Sequence, residues 1–243
     1  MKVIKFLHLL IPPIFYPKTI NKIKRYFIKL FYKDNQTILP AEKNFYKRHA
    51  FINKAINQFR ECMYLEIGVN QNDVFNSIPL PINKKFGVDP FSGGNYRMTS
   101  DEFFKKYADL KFDVIFIDGL HEYSACQRDV INSIKVLNKD GIILIDDLLP
   151  KNKFEEETPR KQDYWTGDIW KVAVEIFNSK NCDFKIVNID TGIGILKIND
   201  DYEYKKMPEL KNKTFDDYLK YYKEFKIIKS EEALDFLSQK KIK

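Results

Sequence analysis

The sequence predicts an α/β fold, a Rossmann-like doubly wound, mostly parallel seven-stranded sheet that ends in an antiparallel hairpin. Three observations carry this prediction. Short apolar runs alternate with amphipathic stretches between residues 62 and 145, the pattern of a parallel sheet covered on both faces. Acids and glycines punctuate the carboxyl ends of those runs, at Glu66, Gly68, Asp89, Asp118, Asp146 and Asp147. Two later runs, 184–189 and 192–198, flank a tight Asp-Thr-Gly turn, as expected of a terminal hairpin that brings an antiparallel strand into the sheet.

In chain order, residues 43–60 have the composition of a helix leading into the core, and 62–69 is an apolar strand with one acid inside it. Residues 73–78 open a helix, 85–89 is a second strand and 96–99 a third, short one. A helix over 100–108 precedes the clearest strand, 112–117, and an amphipathic helix over 127–137 ends at Asn138, Asp140 and Gly141 before a strand at 142–145. Residues 170–178 read as a further helix, and the charge-rich, Tyr-rich stretch after residue 200 as one or two amphipathic helices capped by Thr214 and Ser230. The expected organisation is an extension over 1–42, a domain over 43–200 and a helical extension over 201–243.

A chain of 243 residues with 44% hydrophobic residues suits one sizeable core. Cys62, Cys126 and Cys182 are odd in number and far apart, which argues against a disulfide framework or a zinc cluster and for a reducing cytoplasm. The net charge of +7 is concentrated at one end. Residues 1–33 hold eight Lys or Arg and no acid, leaving 33 basic against 34 acidic residues elsewhere. With a near-neutral body and no groove-entering or base-stacking element, nucleic acid is not an expected partner.

The apolar start of the chain is broken by Lys5, His8, Pro12 and Pro13, too short for a membrane span or an uninterrupted signal segment. Over 18–33, Ile20, Ile23, Phe27, Leu30 and Phe31 recur at helical spacing among lysines and Arg25. This suits a helix lying on the anionic inner face of a membrane, and equally one packed on the domain with a solvated basic face.

In open parallel sheets ligands bind beyond the carboxyl ends of the strands. The first such end reads Glu66-Ile-Gly-Val-Asn-Gln-Asn72. Gly68 allows close backbone approach, and Asn72, where a second glycine is usual, tolerates positive φ. The phosphate-cradling G-x-G-x-x-G of a nicotinamide site is absent. An acid two residues before the glycine instead suits a ligand with an amino group, and Asp89 lies at the distance where an acid reaches ribose hydroxyls. Further on, Asp118 ends the fourth strand, His121 and Tyr123 follow it, and Asp146 and Asp147 end the fifth. Neighbouring strand ends bring these acids together, a like-charge conflict that a hard divalent cation such as Mg²⁺ resolves while leaving positions for substrate oxygens.

Between residues 60 and 198 the chain resembles the class I methyltransferases, and within them the sugar and macrocin O-methyltransferase-like group. The resemblance rests on Leu65-Glu-Ile-Gly-Val, Gly87-Val-Asp-Pro, Met98-Thr-Ser-Asp-Glu-Phe-Phe, Phe112-Asp-Val-Ile-Phe-Ile-Asp-Gly-Leu-His-Glu-Tyr, Gly141-Ile-Ile-Leu-Ile-Asp-Asp and Trp165-Thr-Gly-Asp-Ile-Trp. It implies S-adenosylmethionine as cofactor, bound through Glu66, Gly68, Asn72, Asp89, Ser100 and Asp118, with Ser100 near adenine or simply a helix cap. Asp118, Asp146 and Asp147 resemble the metal ligands of catechol-type and some sugar methyltransferases.

His121, with Asp118, is the candidate catalytic pair, the imidazole acting as base toward a hydroxyl or standing as a loop histidine bonded to a neighbouring acid. Trp165, Gly167, Asp168 and Trp170 are candidates to line a saccharide site, with Trp170 alternatively a core residue. The implied activity is Mg²⁺-assisted O-methyl transfer to a sugar or glycan precursor in polysaccharide biosynthesis. Two alternatives remain: a metal-independent enzyme of the same fold, and a non-catalytic, membrane-associated module of glycan assembly. Monomer and homo-oligomer are both left open.

Overall fold

The computed structural model describes residues 38–42, 46–160 and 164–239. The expectations for residues 1–33 lie outside these. Helix α1 (Arg48–Ile56) leads into β1 (Tyr64–Ile67) and the short α2 (Asp73–Ser77); β2 (Lys85–Val88) and α3 (Ser100–Lys106) follow. Next come β3 (Phe112–Ile117), α4 (Tyr123–Val136), β4 (Leu137–Ile145), α5 (Lys153–Glu156) and α6 (Trp170–Phe177). The chain then forms β5 (Lys180–Val187), β6 (Ile193–Glu203), α7 (Phe215–Tyr222), β7 (Ile227–Ile228) and α8 (Ser230–Ser238). All these elements belong to one compact unit, 38–161 with 165–243.

The seven strands run in the order β2-β1-β3-β4-β6-β5-β7. The β1–β2, β1–β3 and β3–β4 pairs are parallel, whereas β6 is antiparallel to both β4 and β5. The expected α/β architecture and closing hairpin are present. Two details differ. Residues 96–99 do not form a strand: only Tyr96 bridges to Val88. The edge strand is instead β7, parallel to β5, from the segment expected to be purely helical.

Alternation within each strand divides the core. Ile115, Ile117, Ile143 and Ile145 face α3, α4, α6 and α7, where Phe103, Val130, Trp170 and Tyr218 pack. Tyr64, Val114, Phe116, Ile142 and Leu144 face the other way, against Phe51, Ile52 and Ala55 of α1 and Phe236 of α8. Burying each such side chain contributes about 1.5–3 kcal/mol. The same alternation fixes the direction of the acids that end the strands. Glu66, Asp118 and Asp146 continue the parity of Tyr64, Phe116 and Leu144, the α1 face.

Candidate active site

The loop after β1 makes three left-handed steps, at Gly68 (φ +85), Asn70 (φ +50) and Asn72 (φ +66). A Cβ on Gly68 would strike the backbone of Asp118 and Gly119, so this glycine is required by the contact between the β1 and β3 loops. The Asn72 side chain ties the turn across, its Oδ1 accepting the Gly94 N–H at 2.8 Å. Asn thus supplies both the positive φ and a cross-link that glycine would lack.

Asp89, at the end of β2, accepts N–H bonds from Asn70 (3.0 Å), Phe91 (2.8 Å) and Ser92 (2.8 Å). Burial alone would raise its carboxyl, but these three donors outweigh burial and hold it below the usual range. Oδ2 takes only one of the three bonds and keeps capacity for another donor. Glu66 is buried, with its carboxylate receiving the Tyr64 hydroxyl at 2.7 Å. Burial, reinforced by Asp118 and opposed by the Tyr64 bond, pushes it up to about 8. Ser100 opens α3 behind a capping box between Thr99 and Glu102, and its hydroxyl bonds to Asp129.

At the ends of β3 and β4 the structure brings together Asp118, His121 and Asp147. Their ligand atoms lie within 4.8 Å of one another, a grouping of potential metal donors among the described residues. Asp147 adopts φ +61, a conformation Asp tolerates better than most residues, and this turns its carboxylate toward the imidazole. His121 Nδ1 lies 2.9 Å from the Trp165 carbonyl and 3.1 Å from Asp147 Oδ2. Both are acceptors, so Nδ1 carries a hydrogen. Nε2 lies 3.3 Å from Asp118 Oδ1. Burial would lower the imidazole pKa, but the Asp118 bond and the charges of Asp147 and Asp118 outweigh burial and push it up to about 9. In this state His121 bears a proton near neutral pH.

Asp146, expected beside Asp118 and Asp147, is not one of that grouping but shares Arg48 with Asp118. Only 1% exposed, it accepts the Asp147 N–H through Oδ1 at 3.0 Å and pairs with Arg48 through Oδ2. Strand parity sends it to the α1 face. Arg48, which the sequence reading passed over, is therefore a central residue of the site. From the first turn of α1 its Nη1 reaches Asp118 Oδ2 at 2.8 Å as well as Asp146, and its Nη2 reaches Asp190 Oδ2 at 3.1 Å. The like-charge conflict of the strand ends is thus met by a protein cation. Burial opposes the charge on Arg48, but Asp146, Asp118 and Asp147 hold it firmly protonated.

Residues 165–170 support this cluster from outside. Trp165 stacks on His121 with ring centroids 5.2 Å apart and 24° between planes. Gly167 (φ +64) lies so close to the His121 backbone that any Cβ would collide. Asp168 accepts the Tyr123 N–H at the start of α4 (2.7 Å) and pairs with the buried Lys171 (2.8 Å). One of its oxygens thus holds the start of α4 and the other the first turn of α6. Trp170 is fully buried, the core alternative weighed for it, with Nε1 on Glu156 at 3.1 Å. Of the four candidates for a saccharide wall, Trp165 alone has its ring against the acid and histidine cluster.

A mostly parallel, Rossmann-like sheet gathers glycine and acids at the carboxyl ends of β1 to β4, where open sheets of this kind bind ligands. Residues 65–148, about a third of the chain, match the family model described as a methyltransferase domain. Over that stretch the chain is similar to the methyltransferase-domain family.

Several solved structures are similar in chain course. An O-methyltransferase from Bacillus cereus in complex with SAH is 10% identical, with 79% of this chain and 94% of that one covered and a TM-score of 0.47. The SAH-bound methyltransferase PaMTH1 from Podospora anserina is 16% identical, covering 78% and 99%, with a TM-score of 0.41. MycE, a methyltransferase of the mycinamycin biosynthetic pathway in complex with Mg, SAH and mycinamycin VI, is 14% identical, covering 63% of this chain and 48% of its own, with a TM-score of 0.39. No curated protein matches the sequence.

Proposed function

We propose that this protein transfers a methyl group from S-adenosylmethionine to a hydroxyl of a small acceptor, a sugar or glycan precursor, with assistance from a divalent cation such as Mg²⁺. The observation that carries the reading is the convergence of Asp118, His121 and Asp147 beside the β1 loop. The two carboxylates fit a divalent ion with the imidazole beside them as base, and the left-handed loop with Asp89 fits an amino- and hydroxyl-bearing cofactor.

The cofactor supplies a methyl group already activated by its sulfonium, and a cation would lower the pKa of an acceptor hydroxyl. The chain's residues must then hold, orient and exclude water. Asp89 offers its remaining acceptor capacity to ribose hydroxyls, and Glu66 and Gly68 bound the methionine end. Trp165 and the Asp147 carboxylate fix the His121 ring, so Nε2 is the nitrogen available to take the acceptor's proton. With Nε2 facing Asp118, the base role requires that carboxylate to be neutralised first, by the charge that a cation held by Asp118 and Asp147 would supply. The basic segment 1–33 adds peripheral contact with an anionic membrane surface.

Calorimetry with S-adenosylhomocysteine, followed by labelled methyl transfer to a panel of nucleotide sugars with Mg²⁺ or with chelator, tests the reading. No cofactor binding at millimolar ligand would overturn it. Transfer undiminished by chelator would leave methyl transfer standing and remove the cation.

A further inference from the structure

The charge balance of the cluster points to a role for Arg48 that neither the fold nor the family match assigns. Three carboxylates from three places in the chain converge on one guanidinium: Asp118 at the end of β3, Asp146 at the end of β4 and Asp190 in the β5–β6 turn. Asp146 is almost completely buried and Asp118 largely so, with 1% and 19% of their side chains exposed. Carboxylates so placed need a nearby positive charge, because burial and mutual repulsion both disfavour their ionised forms. Arg48 supplies that charge from the start of α1, a helix held in place by Phe51, Ile52 and Ala55, each fully buried. Its two terminal nitrogens divide the work, with Nη1 on the two buried acids and Nη2 on the outer one.

We infer that Arg48 is the built-in cation of this site, competing with a divalent ion for the carboxylate of Asp118 and so setting how tightly the site takes that ion. The inference rests on the cation-assisted reading above. Asp118 Oδ2 faces Nη1 while Oδ1 faces His121 Nε2, so an ion entering between Asp118 and Asp147 must take an oxygen already in contact with Arg48 or His121. Arg48 has somewhere to go: Asp190, 49% exposed, can retain the guanidinium at the surface once Nη1 is released. A planar guanidinium holds several donors in a fixed fork and so reaches all three carboxylates at once, which the single ammonium of lysine does not. Substitution by lysine should therefore weaken the competition although the charge is conserved.

The test measures Mn²⁺ binding to the full chain by electron paramagnetic resonance, with calorimetry as a second readout. Arg48→Gln should bind Mn²⁺ at least 10-fold more tightly than the unmodified protein, with Arg48→Lys in between. Asp190→Asn, which frees Nη2 at an exposed position, should strengthen the hold of Arg48 on Asp118 and Asp146 and weaken Mn²⁺ binding severalfold. Asp118→Asn should abolish binding. Equal or weaker Mn²⁺ binding by Arg48→Gln would overturn the inference, and if that variant does not fold, Arg48→Lys binding no more tightly than the unmodified protein would do the same. S-adenosylhomocysteine binding measured on the same samples separates the two ideas, because its loss in the unmodified protein strikes the methyl-transfer reading and leaves the Mn²⁺ comparison intact.

Discussion

The His121 imidazole is clamped by Trp165 twice over, by a carbonyl 2.9 Å from Nδ1 and by an indole stacked on the ring. A ring held in this way has one tautomer and one nitrogen left for proton exchange. His121→Gln, which keeps a polar side chain of similar reach, is expected to lower methyl transfer by about 10²–10⁴-fold, the usual range for a positioned base. Cofactor affinity should be unchanged. Single-turnover transfer beside calorimetry checks this, and a variant with full rate would assign the proton to another acceptor.

Under the proposed function Asp89 carries two loads, so its replacement should be felt twice. Asp89→Asn leaves at least one of the Asn70, Phe91 and Ser92 amides poorly paired, at a cost of about 1–3 kcal/mol. It also removes the charged acceptor offered to ribose. The unliganded melting temperature should fall, and the stabilisation by S-adenosylhomocysteine should shrink to near zero. A variant that melts lower yet keeps its full ligand-induced shift would confine Asp89 to holding the loop.

Glu66 gives the protein a pH signature. Its folded-state carboxyl is raised, to about 8 against an ordinary 4.5. The folded state thus favours the protonated form. The corresponding stability is fully present below about pH 4.5 and is lost as pH rises through 8, at up to about 1.4 kcal/mol per pH unit. Glu66→Gln has no proton to lose. Denaturant melts at pH 6 and pH 9 should show the variant gaining on the unmodified protein at the higher pH; parallel curves would place the ionisation elsewhere.

Residues 1–33 carry eight positive charges and no acid, and each basic residue near an anionic bilayer adds on the order of 1 kcal/mol of attraction. Co-sedimentation with liposomes containing anionic lipid should succeed at low salt, weaken steeply as ionic strength rises and vanish on deletion of the segment. Failure of the intact chain to bind such liposomes at low salt removes the membrane contact.

The sheet was legible because strand burial and strand spacing leave local marks: the run 112–117 coincides with β3, and the Asp-Thr-Gly turn with the bend between β5 and β6. What failed was non-local. Tyr96 bears strand-like neighbours but makes only a bridge, and β7, two residues long, is a strand solely because β5 lies beside it. The candidate site divides in the same way. Strand-end acids announce themselves by position, whereas Arg48 meets Asp118 across 70 residues and has no spacing signal. One available clue was parity: Glu66, Asp118 and Asp146 fall in phase with residues that pack on α1, so a cation on that helix was the partner to seek. Asp168 and Trp170 were misleading for the converse reason, since helix anchoring and core packing use the same residue types as saccharide sites.

The contact between Gly68 and the backbone of Asp118 and Gly119 bears on how this scaffold can be re-engineered. The two loops interlock with no space for even a methyl group, so neither is an independent cassette. A graft of residues 66–72 from another enzyme brings a different backbone path to a surface shaped for this one, and the misfit falls on the aspartate at the heart of the cluster. Transplants that exchange both loops together respect the joint, and recombination libraries cut between them should yield mostly inactive chains.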